Sequence, residues 1–187
     1  MKDILILYYS KNDSTKRMAR AISRGVESVA NITAVIRTVN SKHYAESDDL
    51  LVTKEDLKNC SGMIIGSPTH FGNMAAPLKE FFDNTTEEWL NNTLESKLGG
   101  VFTSTSSMHG GQETTLLSMM LPLLHHGMLI AGVPYSVKEL SSTKSGGTPY
   151  GPSHVAHNQN SELTSEEKAI CISYGKRFAQ IINGMNI

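Results

Sequence analysis

The feature that most constrains the fold of this chain is an alternation between short, continuous apolar runs and longer segments with helical periodicity. The first run, at residues 4–9, is rich in β-forming side chains and ends in polar residues, as is typical of a strand buried on both faces. Further candidate strands lie at 33–39, 62–66, 100–103 and 128–133. A segment with helical spacing follows each of them, which predicts a regular βα alternation.

Strict βα alternation with continuous apolar strands implies a parallel sheet that helices cover on both faces. Five strands suit a three-layer α/β fold of the flavodoxin-like kind, with strand order 2-1-3-4-5. The 187 residues fit one domain, 1–187. Ser14 or Thr15 is expected to cap the first helix, and capping boxes mark two later helix starts at Thr53 and Thr164. Residues 41–52 and 134–163 are predicted to form loops.

Charge and cysteine usage exclude several classes of function. The formal net charge is −1, which supports neither a nucleic-acid partner nor a membrane surface, and which argues against a small acidic electron carrier. Cys60 and Cys171 are far apart and form no CxxC motif, so we expect buried thiols in a reducing compartment. No apolar run is long enough to cross a bilayer, and a cytoplasmic location without membrane insertion is expected.

Polar loops follow three of the predicted strands. Ligands of open parallel sheets bind outside the carboxyl ends of the strands, near the point where the strand order reverses. We call residues 10–15 the first loop, residues 67–73 the second loop and residues 104–111 the third loop. Their candidate ligand-binding residues are Ser10, Lys11, Asn12, Asp13, Ser14 and Thr15; Pro68, Thr69, His70, Phe71, Gly72 and Asn73; and Ser104, Thr105, Ser106, Ser107, His109, Gly110 and Gly111.

The first loop leads into a helix amino terminus, where free N–H groups and the helix dipole attract an anion. Hydroxyls of Ser10, Ser14 and Thr15 could donate to a phosphate, although the loop matches neither the Walker nor the GxGxxG pattern. A plain helix cap is the alternative.

The second loop is more specific, because Gly66 and Gly72 permit close approach or positive φ and Pro68 stiffens the turn. Its N–H groups could bind the edge of a planar heteroaromatic ring beside Phe71, with an ordinary tight turn as the alternative. The third loop could line the other side of that ring, or be only a polar loop.

Taken together, the motifs of this chain resemble those of the WrbA-like NAD(P)H:quinone oxidoreductases, which have the flavodoxin-like fold. The likeness covers nearly the whole chain in the right order. The motifs that carry it are LYYS at 7–10, MARA at 18–21, PTHFGNM at 68–74, GGQE at 110–113, HHGM at 125–128 and GGTPYG at 146–151.

This resemblance implies that the three loops bind FMN and that NADH or NADPH is the electron donor. It implies two-electron reduction of a quinone-type acceptor by ping-pong hydride transfer through flavin N5. His126 would lie beside the isoalloxazine as the catalytic residue, orienting the quinone or donating a proton. Trp89 and Asn12 would contact the nicotinamide or quinone. A homodimer or homotetramer is expected, with sites completed by neighbouring subunits.

The first loop departs from the family pattern, since Asp13 stands where a glycine is usual and Asn12 where an aromatic is common. Aspartate tolerates left-handed backbone better than most residues. Two other functions remain open from the sequence: a one-electron carrier of the flavodoxin type, and a non-catalytic oligomeric protein with weakened FMN binding. Helix capping is an alternative role for His126, and packing is one for Trp89. No metal is expected, because His154 and His157 have no third ligand at a suitable spacing.

Overall fold

A parallel sheet forms the centre of the molecule in the computed structural model, which describes residues 1–40, 48–157 and 162–185. Its strands pair in the order β2-β1-β3-β5-β6, so the main strands follow the predicted flavodoxin-like order. A short β4 pairs antiparallel with the end of β3. The strands are β1 Lys2–Tyr8, β2 Ile32–Thr38, β3 Cys60–His70, β4 Asn73–Met74, β5 Leu98–Thr105, β6 Leu129–Ile130 and β7 Ser153–Val155.

The fifth position of the sheet is divided between two short strands. Strand β6 pairs with the beginning of β5, at Leu98 and Gly99, whereas β7 pairs with its end, at 103–105. The prediction of one continuous strand at 128–133 was therefore wrong in its extent. The predicted loop at 134–163 contains both β7 and a short helix at 139–142, although residues 158–161 lie outside the described part of the chain.

Helices cover both faces of the sheet because the side chains of β1 alternate between two cores. Ile4, Ile6 and Tyr8 face one core, which helices α1 and α7 close. Leu5 and Leu7 face the other, which α2, α3 and α5 close. The helices are α1 Ser14–Glu27, α2 Lys54–Asn59, α3 Ala76–Asp83, α4 Thr86–Leu90, α5 Gln112–His125, α6 Glu139–Ser142 and α7 Ser165–Gly184.

Helices α1 and α7 pack with their backbones almost in contact. A Cβ atom on Gly25 would lie 2.0 Å from the carbonyl oxygen of Ile172, and one on Gly175 would lie 2.1 Å from that of Ile22. Glycine at these two positions lets the helices approach closely, which seals the core on that side of β1.

Two of the three predicted helix starts are confirmed: Thr53 and Thr164 each form a capping box with the residue three positions on. The first helix differs, since its N-cap is Asp13 and both Ser14 and Thr15 lie inside its first turn. The predicted loop at 41–52 is described only from residue 48, and residues 41–47 lie outside the described chain.

Both cysteines are buried and free, as predicted. Burial raises the pKa of each thiol, that of Cys60 to about 11, so neither is poised for reaction. Within the described ranges, no helix combines the length and apolar character that crossing a bilayer requires.

Candidate functional site

A cavity of about 270 Å³ opens at the carboxyl ends of β1, β3 and β5, where all three predicted loops meet. This is the edge of the sheet at which open α/β folds bind ligands. Its lining residues are Ser10, Lys11, Asn12, Ser14, Thr15, Pro68, Thr69, His70, Ser104, Thr105, Ser106, Ala156 and His157. We call this space the cradle.

The first loop closes the cradle at the amino end of α1. Asp13 has φ +60° and its side chain makes no capping hydrogen bond. The Ser14 N–H donates to the Asn12 carbonyl oxygen and the Arg17 N–H to that of Asp13, which leaves the N–H groups of Thr15 and Lys16 for a ligand. The hydroxyl oxygen of Ser10 is buried and has no hydrogen-bond partner among the described residues. An orphaned donor beside a helix amino terminus is what an anionic group would satisfy.

Asp13 itself is exposed and does not line the cradle. Its backbone is left-handed, the conformation that glycine adopts most readily. The departure from the family pattern at Asp13 therefore adds no carboxylate to the cradle lining.

The second loop is a tight hairpin between β3 and β4, in which Phe71 and Gly72 are the two central residues. Both have positive φ, +52° and +76°, as in a type I′ turn. The Phe71 ring is completely exposed. The turn therefore holds a strained residue with an unsupported aromatic ring next to the cradle residue His70.

Hydroxyl and glycine contacts tie the three loops together. Thr15 Oγ1 and Ser104 Oγ are 2.9 Å apart, which joins the first loop to the third. Thr115 Oγ1 donates to Thr69 Oγ1 at 3.1 Å, which joins α5 to the second loop. A Cβ on Gly111 would lie 3.0 Å from the Gly72 Cα, so the second and third loops touch through glycines. These contacts make the cradle walls one connected unit.

The cradle favours negative charge. Its described lining includes Lys11 and two histidines but no carboxylate. Burial lowers the pKa of His70, and the Lys11 ammonium nearby lowers it further. A neutral His70 and a cationic Lys11 leave a site suited to an anionic group.

Ala156 and His157, which were not among the predicted site residues, also line the cradle. They follow β7, which the buried carboxylate of Glu167 holds in place. Glu167 accepts from His154 Nδ1 at 2.7 Å and from the backbone N–H of Val155 at 3.0 Å. Its remaining donors are the Gly146 N–H, the Ser145 hydroxyl and the Thr164 N–H.

His154 is therefore a buried partner of Glu167. No group of three metal-ligating side chains occurs among the described residues. The sequence predicted the capping box that contains Glu167, but it gave no sign that this carboxylate contacts β7.

His126 and Trp89 line a different cavity, of about 400 Å³, together with Phe82 and Leu121. His126 Nε2 lies 2.9 Å from Thr85 Oγ1, and the Trp89 indole donates to the His125 carbonyl oxygen at 2.9 Å. Burial lowers the pKa of His126; the charge of Glu88 raises it in part, and His125 lowers it. This second cavity shares no lining residue with the cradle, so one chain does not place His126 and Trp89 at the three loops.

Some predicted cofactor residues do not line the cradle, and neither does Trp89, which was predicted to contact the substrate. The cofactor residues outside the lining include Asp13, Phe71, Gly72, Asn73, Ser107, Gly110 and His126. His109 and Gly111 line a different cavity, of about 430 Å³, together with residues of α5 and of the segment before β7. Asn73 instead uses its side-chain oxygen within the fold, accepting from the Met74 N–H and the Ser118 hydroxyl.

Residues 3–139 match the family model described as NADPH-dependent FMN reductase. The chain belongs to this family. It is 39% identical to an NAD(P)H dehydrogenase (quinone) of Chromohalobacter salexigens and 40% identical to one of Acidithiobacillus ferrooxidans. Each alignment covers 97% of this chain and 97% of the relative. The membership predicted from the sequence motifs is thus confirmed.

Solved structures show that this FMN reductase family member has the flavodoxin-like fold. A WrbA-like flavodoxin from Agrobacterium tumefaciens superposes with a TM-score of 0.75 at 22% identity, over 98% of both chains. A flavodoxin from the domain Archaea superposes with a TM-score of 0.69 at 20% identity, over 97% of this chain and 99% of the other. The predicted fold class is confirmed.

Proposed function

We propose that this protein uses FMN to reduce quinones by two electrons at the expense of NADH or NADPH. The observation that carries the proposal is the cradle, which lies where the fold binds ligands and which suits an anionic group. Relatives of about the same length, at 39% and 40% identity, are NAD(P)H dehydrogenases (quinone), which supports the reaction type. FMN, when bound, would supply the hydride-accepting and hydride-donating ring.

The residues of the cradle fit the phosphate of FMN. Ser10 contributes the orphaned hydroxyl, Thr15 adds a second hydroxyl, and the first turn of α1 adds backbone N–H groups. Lys11 adds positive charge at the rim. The second and third loops would then flank the ring, with backbone N–H groups stabilising negative charge that develops on it.

His126 and Trp89 would bind the ring of the second substrate. Their cavity lies apart from the cradle in one chain, so we propose that a neighbouring subunit brings the two together. An exposed leucine stripe supports this: Leu117, Leu121 and Leu124 occupy one face of α5 and are 45%, 59% and 54% exposed. A stripe of this kind beside a cavity is typical of an interface, and a homodimer or homotetramer of this chain would cover it.

The buried, free cysteines Cys60 and Cys171 support the expected cytoplasmic location. We also propose that residues 1–187 form one domain, because α7 returns to pack on α1 and closes the core around β1.

Steady-state oxidation of NADH and NADPH by the FMN-loaded protein, with a benzoquinone as acceptor, tests the function. We expect many turnovers without a separate reductase, and His126→Ala should lower the turnover rate more than the FMN affinity. A carrier of the flavodoxin type would oxidise neither nucleotide at a useful rate. A protein that takes up no FMN would support the non-catalytic alternative instead.

A further inference from the structure

Thr85 lies between α3 and α4, with its side chain directed at the His126 imidazole. The residue is 4% exposed and His126 is 9% exposed. Thr85 Oγ1 lies 2.7 Å from the carbonyl oxygen of Phe82 and 2.9 Å from His126 Nε2. The hydroxyl therefore connects a backbone acceptor with one nitrogen of the ring.

The single proton of this hydroxyl decides which imidazole nitrogen carries hydrogen. A carbonyl oxygen only accepts, so the bond to Phe82 takes the Thr85 proton. Thr85 Oγ1 then has only lone pairs to offer His126, and Nε2 must be the donor across their 2.9 Å contact. Neutral His126 is thereby held with hydrogen on Nε2 and a lone pair on Nδ1.

The lone pair on Nδ1 is left for a ligand. Nδ1 is buried and has no hydrogen-bond partner in the described part of the chain. Two other rings that carry an N–H line this cavity, those of Trp89 and His125. The Trp89 indole proton is already bound by the His125 carbonyl oxygen. At the same cavity, the Lys79 ammonium is paired with the Asp83 carboxylate at 2.5 Å.

We propose that Thr85 is a positioning residue that sets the His126 tautomer, and that the cavity consequently prefers quinones that carry a hydrogen-bond donor on the ring. A bare quinone has only acceptor oxygens, which form no hydrogen bond with an Nδ1 lone pair, so His126 positions its ring by packing alone. An amino substituent can donate to it while the ring packs against Trp89. This inference about substrate class rests on the proposed quinone reduction, whereas the tautomer does not.

Burial favours the neutral form of His126. It lowers the pKa of the ring, the charge of Glu88 raises this pKa in part, and His125 lowers it again. Glu88 is itself engaged with Lys54 at 3.1 Å. In this form Nδ1 has no proton to give, so His126 orients the acceptor ring and does not protonate it.

The tautomer is measured directly by long-range ¹H–¹⁵N correlation of the histidine rings. We expect His126 in wild-type protein to show a protonated Nε2 and an unprotonated Nδ1 at pH 7. Thr85→Val removes the hydroxyl at nearly constant volume and should give a mixture of tautomers, while Thr85→Ser should restore the wild-type pattern. Hydrogen on Nδ1 in the wild type, or a Thr85→Val spectrum like that of the wild type, would overturn the proposal.

Ligand preference is measured by quenching of Trp89, the one tryptophan of the chain. FMN-loaded protein is titrated with 2-amino-1,4-naphthoquinone and with 2-methoxy-1,4-naphthoquinone, which lacks the donor. One added hydrogen bond predicts affinity for the amino compound that is higher by roughly fivefold to tenfold. Thr85→Val should remove most of this ratio and Thr85→Ser should retain it.

The titration distinguishes failure of the donor preference from failure of the proposed quinone reduction. Equal affinities in wild-type protein would refute the donor preference. If neither quinone is bound or supports NAD(P)H oxidation, quinone reduction fails, while the ring spectra still decide the role of Thr85. Thermal unfolding of both variants verifies that each is folded.

Discussion

At the scale of single residues, Phe71 is a bulky residue at a turn position whose backbone conformation bulky residues disfavour. Its φ of +52° is unfavourable for a bulky residue, and its fully exposed ring gains nothing from packing within the chain. Asparagine is the residue that such a turn favours at this point. Backbone strain that no contact within the chain offsets is typical of a functional position.

Phe71→Asn should therefore stabilise the fold while weakening contacts with the flavin. We expect the free energy of unfolding to rise by about 1 kcal/mol, measured by urea denaturation, and FMN affinity to fall. Phe71→Ala is the matched control, because it removes the ring but keeps a residue that resists positive φ. Equal stability of the two variants would show that the turn is not strained.

A further prediction at this scale concerns Glu167, whose buried carboxylate accepts hydrogen bonds from His154 and from the backbone N–H groups of Gly146, Val155 and Thr164. Glu167→Ala removes this acceptor and should cost about 3–5 kcal/mol in unfolding free energy. Glu166→Ala, at the neighbouring and more exposed position, should have a much smaller effect on the unfolding free energy. Comparable losses in both variants would contradict the role assigned to the buried carboxylate.

The same carboxylate predicts a pH dependence. Burial raises the pKa of Glu167, but hydrogen bonds from His154, Val155, Thr164 and Ser145 outweigh it and hold the pKa at about 2. A folded-state pKa below the unfolded value of 4.5 means that the stabilisation is complete above pH 4.5 and is lost as pH falls towards 2. The stability gap between wild type and Glu167→Ala should narrow over that interval in urea titrations; a constant gap would contradict the assignment.

At the scale of elements, the contact between α1 and α7 depends on glycine. Gly175→Ala would place a methyl group 2.1 Å from a backbone oxygen of α1, and we expect a loss of roughly 1–3 kcal/mol in unfolding free energy. Gly184→Ala in the same helix meets nothing within 4 Å and should be neutral or slightly stabilising. Thermal denaturation compares the two variants, and equal melting temperatures would contradict the role assigned to Gly175.

The elements also show what can be predicted from sequence. Strands β1, β3 and β5 lie at the centre of the sheet, so they are continuous apolar runs and were recognisable. Strand β7 was missed because Ser153, His154 and Val155 form only three pairs with β5 and owe their position to Glu167. Asp13 was not predicted as the N-cap, because its side chain makes no capping bond and its backbone geometry leaves no pattern in the residue types.

At the scale of the whole molecule, part of the candidate site was predictable from the sequence and part was not. The rule for open parallel sheets placed three loops together, and Thr15, Thr69 and Ser104 do meet in the cradle. Ala156 and His157 could not be added without β7. His126 and Trp89 line a separate cavity because of how α4 and α5 pack together. Sequence motifs do not give the distance between two helices, so this separation could not be predicted.

Assembly gives a prediction at this scale. Lysine at both Leu117 and Leu124, which are exposed and do not line the His126 cavity, should convert an oligomer into monomers by placing charges in an apolar interface. Leu50→Lys, at a residue that is 70% exposed on another segment, is the control and should not change the assembly. Sedimentation equilibrium measures the mass of each assembly, and a monomeric wild type at micromolar concentration would contradict the proposed interface.

The central claim, that FMN binds in the cradle with its phosphate at the first loop, is tested most directly by titrating flavin-free protein with FMN and with riboflavin. Charge-assisted hydrogen bonds to the phosphate predict that FMN binds at least about tenfold more tightly than riboflavin. Thr15→Val should reduce the affinity for FMN more than that for riboflavin. Equal affinity for the two flavins, or no binding of FMN, would contradict the account.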